Sequence, residues 1–190
     1  YREEIDQAIA SISFQKTPVE LYQPVEYILN LGGKRLRPLL TLFSAEAFGS
    51  TSKAAMPAAL AIEMFHNFSL IHDDIMDDAP LRRGQKTVHE KWDLNTGILS
   101  GDAMLILAYQ YFENYEAEVF RDLAKLFSKT ALEVCEGQQL DINFETRNDV
   151  AIDEYIQMID YKTAVLVGAA FEMGAIVSKT SLDNRSNIYD

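Results

Sequence analysis

Four aspartates, Asp73, Asp74, Asp77 and Asp78, fall within six residues at the end of an apolar run, and paired carboxylates of this kind can hold a metal ion. At about 100° per residue in a helix, Asp73 and Asp77 lie about 40° apart, one turn along the same face. Two carboxylates so placed repel, and the partial negative charge of a helix C-terminus adds to the cost of ionising both. A dication reverses that sign, and hard cations such as Mg2+ favour carboxylate oxygen and complete their shell with water and substrate phosphates. The plainer reading is a solvated acidic helix end. Against it, the preceding stretch from Ala61 to Ile71 is too apolar for a helix bathed in water, so the acids terminate a largely buried element.

Cations with the opposite chemistry stand nearby. His66 precedes Asp73 by seven residues, about 20° off the same face after two turns, where it could meet an anion. A lone histidine on a buried helix is nevertheless more often a core residue. His72 is turned about 100° from Asp73 and reads as structural or as a supporting partner. Two basic knots interrupt an acidic sequence: Gly32-Gly33-Lys34-Arg35-Leu36-Arg37-Pro38 and Leu81-Arg82-Arg83-Gly84. The glycines permit a helix exit with positive φ, after which Lys34 and Arg37 can face an anion. Arg forks suit phosphate oxygens bidentately and Lys adds a point charge. Either knot alone reads as cations complementing a helix dipole; both, with the acidic cluster, point to a diphosphate site.

The elements that must position these residues are helical, because apolar spacing of three and four dominates and alternating runs are scarce. Thr17-Pro18-Val19-Glu20 has the form of a capping box, with Pro24 expected to break or restart that helix and a short helix running from about Pro24 to Leu31. Pro38 marks the first turn of the next helix, which stops at Gly49. Further helices are expected at about 53–76, 96–112, 118–143, 153–161 and 162–177, with 78–86 a loop and Asp183 capping one more.

Composition limits the function classes. The 190 residues carry 17 Lys+Arg against 29 Asp+Glu, a net charge of −12, with 48% hydrophobic residues. That predicts one globular domain with a real core, and disfavours nucleic acid or an anionic membrane held by a general basic field. The longest stretch free of charged residues, Ala103 to Phe112, has ten residues, so no membrane span is expected. The single Cys135 cannot make an intrachain disulfide, and no signal peptide opens the chain at Tyr1. The expectation is a cytoplasmic protein, trimmed at its start.

Taken in order, the motifs resemble those of the trans-isoprenyl diphosphate synthases, or polyprenyl synthetases: Gly32 to Pro38; His66 and Ser69 to Asp77; Arg82-Arg83-Gly84; Thr87-Val88-His89; Gly101-Asp102; Gly137-Gln138-Gln139-Leu140-Asp141; and Lys162-Thr163. The resemblance implies an all-α isoprenoid synthase bundle around a deep central cavity, and head-to-tail condensation of isopentenyl diphosphate with dimethylallyl, geranyl or farnesyl diphosphate. It implies that Asp73 and Asp77 hold Mg2+, with Asp74 orienting them. Lys34, Arg37, His66 and Arg83 would grip isopentenyl diphosphate, and Arg82, Lys162 and Thr163 the allylic partner. Gln138 and Asp141 match a cavity-facing motif, and Gln138, Lys162 and Thr163 are the expected catalytic residues. A homodimer is implied as well.

Phe68, five residues before Asp73, stands where this family often places an aromatic that floors the cavity; Phe65 and Met64, one turn further from the mouth, could add to the floor, although Phe and Met at helical spacing are more often plain core. With small Ser69 and no two-residue insertion in the aspartate motif, the pattern looks more like geranylgeranyl (C20) than farnesyl (C15) synthases. The sequence departs from the family in lacking a second aspartate-rich motif, for which Asp190 is no substitute. The expectation is a domain missing its C-terminal helices and poorly active alone; the alternative is a noncatalytic regulatory or binding subunit.

Overall fold

Helices form wherever apolar side chains recur three and four apart, and the computed structural model, which describes residues 1–189, consists almost entirely of them. In chain order they are α1 (Arg2–Ala10), α2 (Val19–Asn30), α3 (Leu36–Ala47), α4 (Ser52–Met76), α5 (Val88–Lys91), α6 (Leu94–Phe112), α7 (Ala117–Phe144), α8 (Ile152–Ile159), α9 (Val165–Val177) and α10 (Leu182–Tyr189). A π-helical turn, Asp160–Ala164, joins α8 directly to α9. Among the described residues the only strands are β1 (Leu81–Arg82) and β2 (Gln85–Lys86), an antiparallel ribbon where the sequence predicts a loop. Its Arg83-Gly84 turn has φ of 53° and 76°, the positive pair that a two-residue hairpin loop requires. Asp190 lies outside the described residues.

The chain divides into two compact units, Tyr1–Leu39 with Ala59–Asn114, and Leu40–Ala58 with Tyr115–Asp190. In the first, α1 buries Ile5 and Ile9, and α2 buries Val25, Ile28 and Leu29. Two sequence expectations fail at α2. Pro18 occupies the N-cap without a side-chain bond, so Thr17 caps nothing, and the helix runs through Pro24 unbroken. Pro24 is only the sixth helical residue, and the carbonyl it leaves unbonded belongs to exposed Glu20, within reach of water, while its ring is buried. Helix α6 begins at Asp93, which accepts from Thr96 N at 2.9 Å. It closes on α4 through two glycines one turn apart. A Cβ at Gly97 would lie 3.0 Å from Ile75 Cδ1, and one at Gly101 only 2.4 Å from His72 Nε2. The acidic end of α4 is therefore held against a face of α6 that has no side chains there.

In the second unit, α7 buries a stripe through Val119, Leu123, Leu126, Phe127, Thr130 and Val134, the amphipathic spacing that makes it a core helix. Helix α9 is apolar on nearly all sides and packs on α3 at backbone distance, where a Cβ at Gly174 would lie 2.3 Å from Thr41 O. Thr41 and Ser44 hydroxyls donate to the carbonyls of Ala170 and Phe171 at 2.9 and 2.6 Å. Pro57 sits inside α4, near its start. The Tyr115 hydroxyl repairs that turn, accepting from Ala58 N at 3.0 Å and donating to Ala54 O at 2.9 Å. At α10, Ser181 rather than Asp183 supplies the cap, accepting from Asn184 N.

Helix α4 is also long and apolar enough, by length and composition alone, to cross a membrane. Isolated charges such as Glu63 keep the uncharged runs of α4 short, which is why the absence of a long uncharged stretch does not bring this helix to notice. Just over half of its apolar window, 56%, is buried within the protein.

Candidate functional site

The Gly32–Arg37 segment leaves α2 with positive φ at Gly32, Gly33 and Arg35. Arg35, at φ 52°, is in a left-handed conformation that a non-glycine residue adopts only when held. Three bonds hold it. Nη1 donates to Glu63 Oε1 at 2.7 Å, Nη2 to Leu29 O at 2.7 Å and Nε to Asp6 Oδ1 at 3.2 Å. With Arg35 and Glu63 95% and 96% buried, the pair is an anchor that also borders the cavity beside it. Lys34 and Arg37 flank it, and both line a cavity of about 500 Å³ together with Gly33, Glu63, His66 and Arg83. The Arg83 guanidinium rests on Gly33, where a Cβ would come within 2.9 Å of Nη2. All four residues expected to grip one diphosphate, Lys34, Arg37, His66 and Arg83, thus line one space.

Its electrostatics favour an anion. His66 Nε2 lies 3.3 Å from Arg37 Nη1. Burial, then the charges of Arg37, Arg83, Arg82 and Arg35, push the His66 pKa down from 6.5 to about 3. The imidazole is therefore neutral near pH 7, with Nε2 able to accept from Arg37. Burial also lowers the pKa of Arg37 and of Arg83, the latter helped by the charge of Arg35, while Glu63 opposes both shifts. Because the folded pKa of His66 lies below the unfolded one, its contribution to stability is complete above about pH 6.5 and is lost as pH falls toward 3. The stability advantage of wild type over His66→Gln is expected to shrink by about 3 kcal/mol between about pH 7 and 4, read by urea unfolding. A difference that stays flat over that range rejects a neutral His66.

The acidic cluster divides in two. Asp74 is buried and spends both carboxylate oxygens on Arg82, from Nε at 2.8 Å and Nη2 at 2.6 Å. It is not arranged to orient Asp73 and Asp77, and Arg82 is engaged by Asp74. Those bonds, and the charges of Asp74, Asp73 and Asp77, raise the Arg82 pKa. Asp73 is half-buried and Asp77 exposed at the end of α4, Asp77 N donating to Asp73 O at 2.9 Å. No group of three or more His, Cys, Asp or Glu among the described residues is arranged to hold a metal. Two carboxylates one turn apart do fit Mg2+, which binds through one or two carboxylates and fills its shell with water and phosphate. His72, beside them, is structural: it lies 3.3 Å from Ile98 O and 3.7 Å from Asp102, with Phe68 edge-on at 4.7 Å.

The remaining expected residues belong to the second unit. Lys162 and Thr163 sit in the π-helical turn, where the Lys162 ammonium pairs with the Asp141 carboxylate of α7. Thr163 lines a cavity of about 680 Å³ with Glu133, Tyr161, Phe171 and Tyr189. Gln138 is 92% buried and its Oε1 has no hydrogen-bond partner. Two residues escaped the sequence reading. Arg35 looks like one more cation in its knot, and Glu63 is an acid within an apolar run, which is itself the signal of a buried pair. Met64 is a buried core residue, about 40° around α4 from Phe68. It lines a separate cavity of about 220 Å³ with Ile12, Phe14, Leu107 and Tyr111.

An all-helical fold, a cation-lined cavity and a carboxylate pair closing α4 define the isoprenoid synthase class. The polyprenyl synthetase model matches residues 18–190, and the chain belongs to that family. It is 44% identical to a geranylgeranyl diphosphate synthase of Methanosarcina mazei over 179 residues, 93% of this chain and 55% of that protein. To a geranylfarnesyl diphosphate synthase of Natronomonas pharaonis it is 39% identical, over 93% of this chain and 57% of that one. Among solved structures, a crystal structure of a geranylgeranyl pyrophosphate synthase superposes with a TM-score of 0.94 at 59% identity, covering all of this chain and 57% of the other. The geranylgeranyl pyrophosphate synthetase of Geoglobus acetivorans superposes with the same score at 36% identity, over 99% and 62%. The chain spans about half the length of the curated relatives it matches.

Proposed function

We propose that the protein condenses isopentenyl diphosphate with an allylic diphosphate, head to tail, to give a short-chain prenyl diphosphate of C20 or C15. The observation that carries this reading is the single cavity of about 500 Å³ lined by Lys34, Arg37, His66 and Arg83. A terpene cyclase or a head-to-head synthase has no need of a second diphosphate site for isopentenyl diphosphate. The relatives' names support the class and span farnesyl, geranylgeranyl and geranylfarnesyl products, and none favours the noncatalytic subunit. The test supplies labelled isopentenyl diphosphate, Mg2+ and each of dimethylallyl, geranyl and farnesyl diphosphate to the complete protein. Failure to extend any primer rejects the proposal.

Breaking the allylic carbon to oxygen bond separates charge, so the site must stabilise a departing diphosphate and leave an allylic cation intact. Asp73 and Asp77 would hold Mg2+, which when bound offsets the negative charge gathering on that diphosphate. Arg82, held by Asp74, would offer that diphosphate a fixed guanidinium, and Lys162, which pairs with Asp141, would be a further contact of the allylic partner. Lys34, Arg37 and Arg83 hold the second diphosphate, with neutral His66 orienting Arg37. The double bond of isopentenyl diphosphate attacks the cation and a proton is then lost, with the released diphosphate as base. No protein nucleophile takes part. Gln138, whose buried Oε1 has no hydrogen-bond partner, and Thr163 are assigned the remaining catalytic roles in this reading.

Phe68 sets product length in this reading. It is half-buried, packed against Phe65 at 5.4 Å and His72 at 4.7 Å. Phe68→Ala is expected to shift the product by at least one five-carbon unit, read by chromatography of the dephosphorylated alcohols, and an unchanged distribution removes Phe68 from that role. Ile98, Leu99 and Ile106 leave an exposed apolar face on α6, which we assign to a second copy in a homodimer. A cytoplasmic setting goes with soluble diphosphate substrates.

A further inference from the structure

Residues 152–177 make one continuous helical run except that five of them, Asp160–Ala164, form a π-helical turn. A π turn widens the helix and pushes its backbone outward, so whatever packs against it must give way. Helix α7 gives way at Gly137. A Cβ there would lie 2.3 Å from Lys162 N and 2.7 Å from both Lys162 Cα and the Tyr161 carbonyl carbon, distances no side chain tolerates. One turn further along the same face, Asp141 takes the Lys162 ammonium. We infer that Gly137 is a positioning residue: its bare backbone is the socket in which the π-helical turn sits, and it fixes where Lys162 and Thr163 are presented. Gly137 touches no substrate in this account. The inference rests on the proposed prenyl transfer for the use made of Lys162 and Thr163, but its geometry stands apart from it.

A residue with any side chain at 137 must push the turn away by about the width of a methyl group, and a displacement of about 1 Å at a reacting centre costs about 10²-fold in rate. The experiment compares Gly137→Ala with Gly174→Ala in the complete protein. Gly174 meets the α3 backbone equally closely, with its Cβ 2.3 Å from Thr41 O, and serves as the control for packing damage alone. Both variants are assayed well below their melting temperatures, with rates normalised to folded protein. Gly137→Ala is expected to lose about 10²-fold in kcat with the KM for isopentenyl diphosphate little changed, while Gly174→Ala keeps kcat within a few-fold. Equal kcat losses in the two variants overturn the inference. If Gly137→Ala does not fold, Asp141→Asn tests the same presentation without added volume, and a kcat equal to wild type overturns it. Wild-type protein that extends no primer would sink the proposed function instead. Hydrogen exchange then decides the socket, with faster exchange at 160–164 in Gly137→Ala than in Gly174→Ala expected and equal exchange overturning it.

Discussion

Asp73→Asn in the complete protein is expected to lower the rate of prenyl transfer on the order of 10³-fold, with the KM for isopentenyl diphosphate within about threefold of wild type. Asp73 and Asp77 form a pair because Asp74, between them in sequence, faces inward and is consumed by Arg82. Neutralising one carboxylate of the Asp73–Asp77 pair removes half of the pair that would hold Mg2+. Lys34, Arg37 and Arg83 are untouched, which is why the second substrate should bind as before. Steady-state kinetics with isopentenyl diphosphate varied at saturating primer separates the two effects. A variant retaining a rate within about tenfold of wild type would show that the pair carries no metal needed for the reaction.

The second large effect is on folding. Glu63→Ala is expected to cost about 3 kcal/mol of stability, because removing one partner of a buried ion pair strands the other charge. Arg35 would keep Asp6 at 3.2 Å and Leu29 O at 2.7 Å, which places the cost at the lower end of what such losses reach. Asn67 Nδ2, 3.3 Å from Glu63 Oε1, would lose that contact as well. Urea unfolding gives the value, and a loss below about 1 kcal/mol would mean the pair contributes no more than a surface bridge. Arg35→Met combined with Glu63→Leu should recover most of the stability, since apolar replacement of a whole buried pair is often neutral. The double variant should still bind isopentenyl diphosphate worse than wild type, because Lys34 and Arg37 flank the anchor it removes.

Much of this was legible in the residues. Periodicity located α3, α4, α6 and α7 to within two residues, because long amphipathic helices advertise their buried stripes. The helix angle of 100° put His66 near the carboxylate face, and the double glycine announced the positive φ that the loop adopts. What could not be read depends on partners far along the chain. Pro24 looked like a break because its tolerance depends on whether Glu20 faces water. Pro57 is supported by a tyrosine 58 residues later. Arg35 and Arg37 are two residues apart and chemically identical, yet at the edge of one cavity Arg35 is tied to Glu63, Asp6 and Leu29 O while Arg37 meets His66. The π-helical turn has no signature in Asp160 to Ala164, since the missing side chain that admits it belongs to Gly137.

The crowding of cations around His66 also bears on how this protein can change. Burial already strains the charged forms of Arg37 and Arg83, and repulsion from Arg35 and Arg82 adds to it at Arg83. Substitutions that discharge this corner would tend to make the chain sturdier, so a screen for heat resistance alone would drift toward erasing the cavity's grip on anions. Selection on stability and selection on activity pull in opposite directions at these positions, while at Arg35, where charge is paired, they pull together.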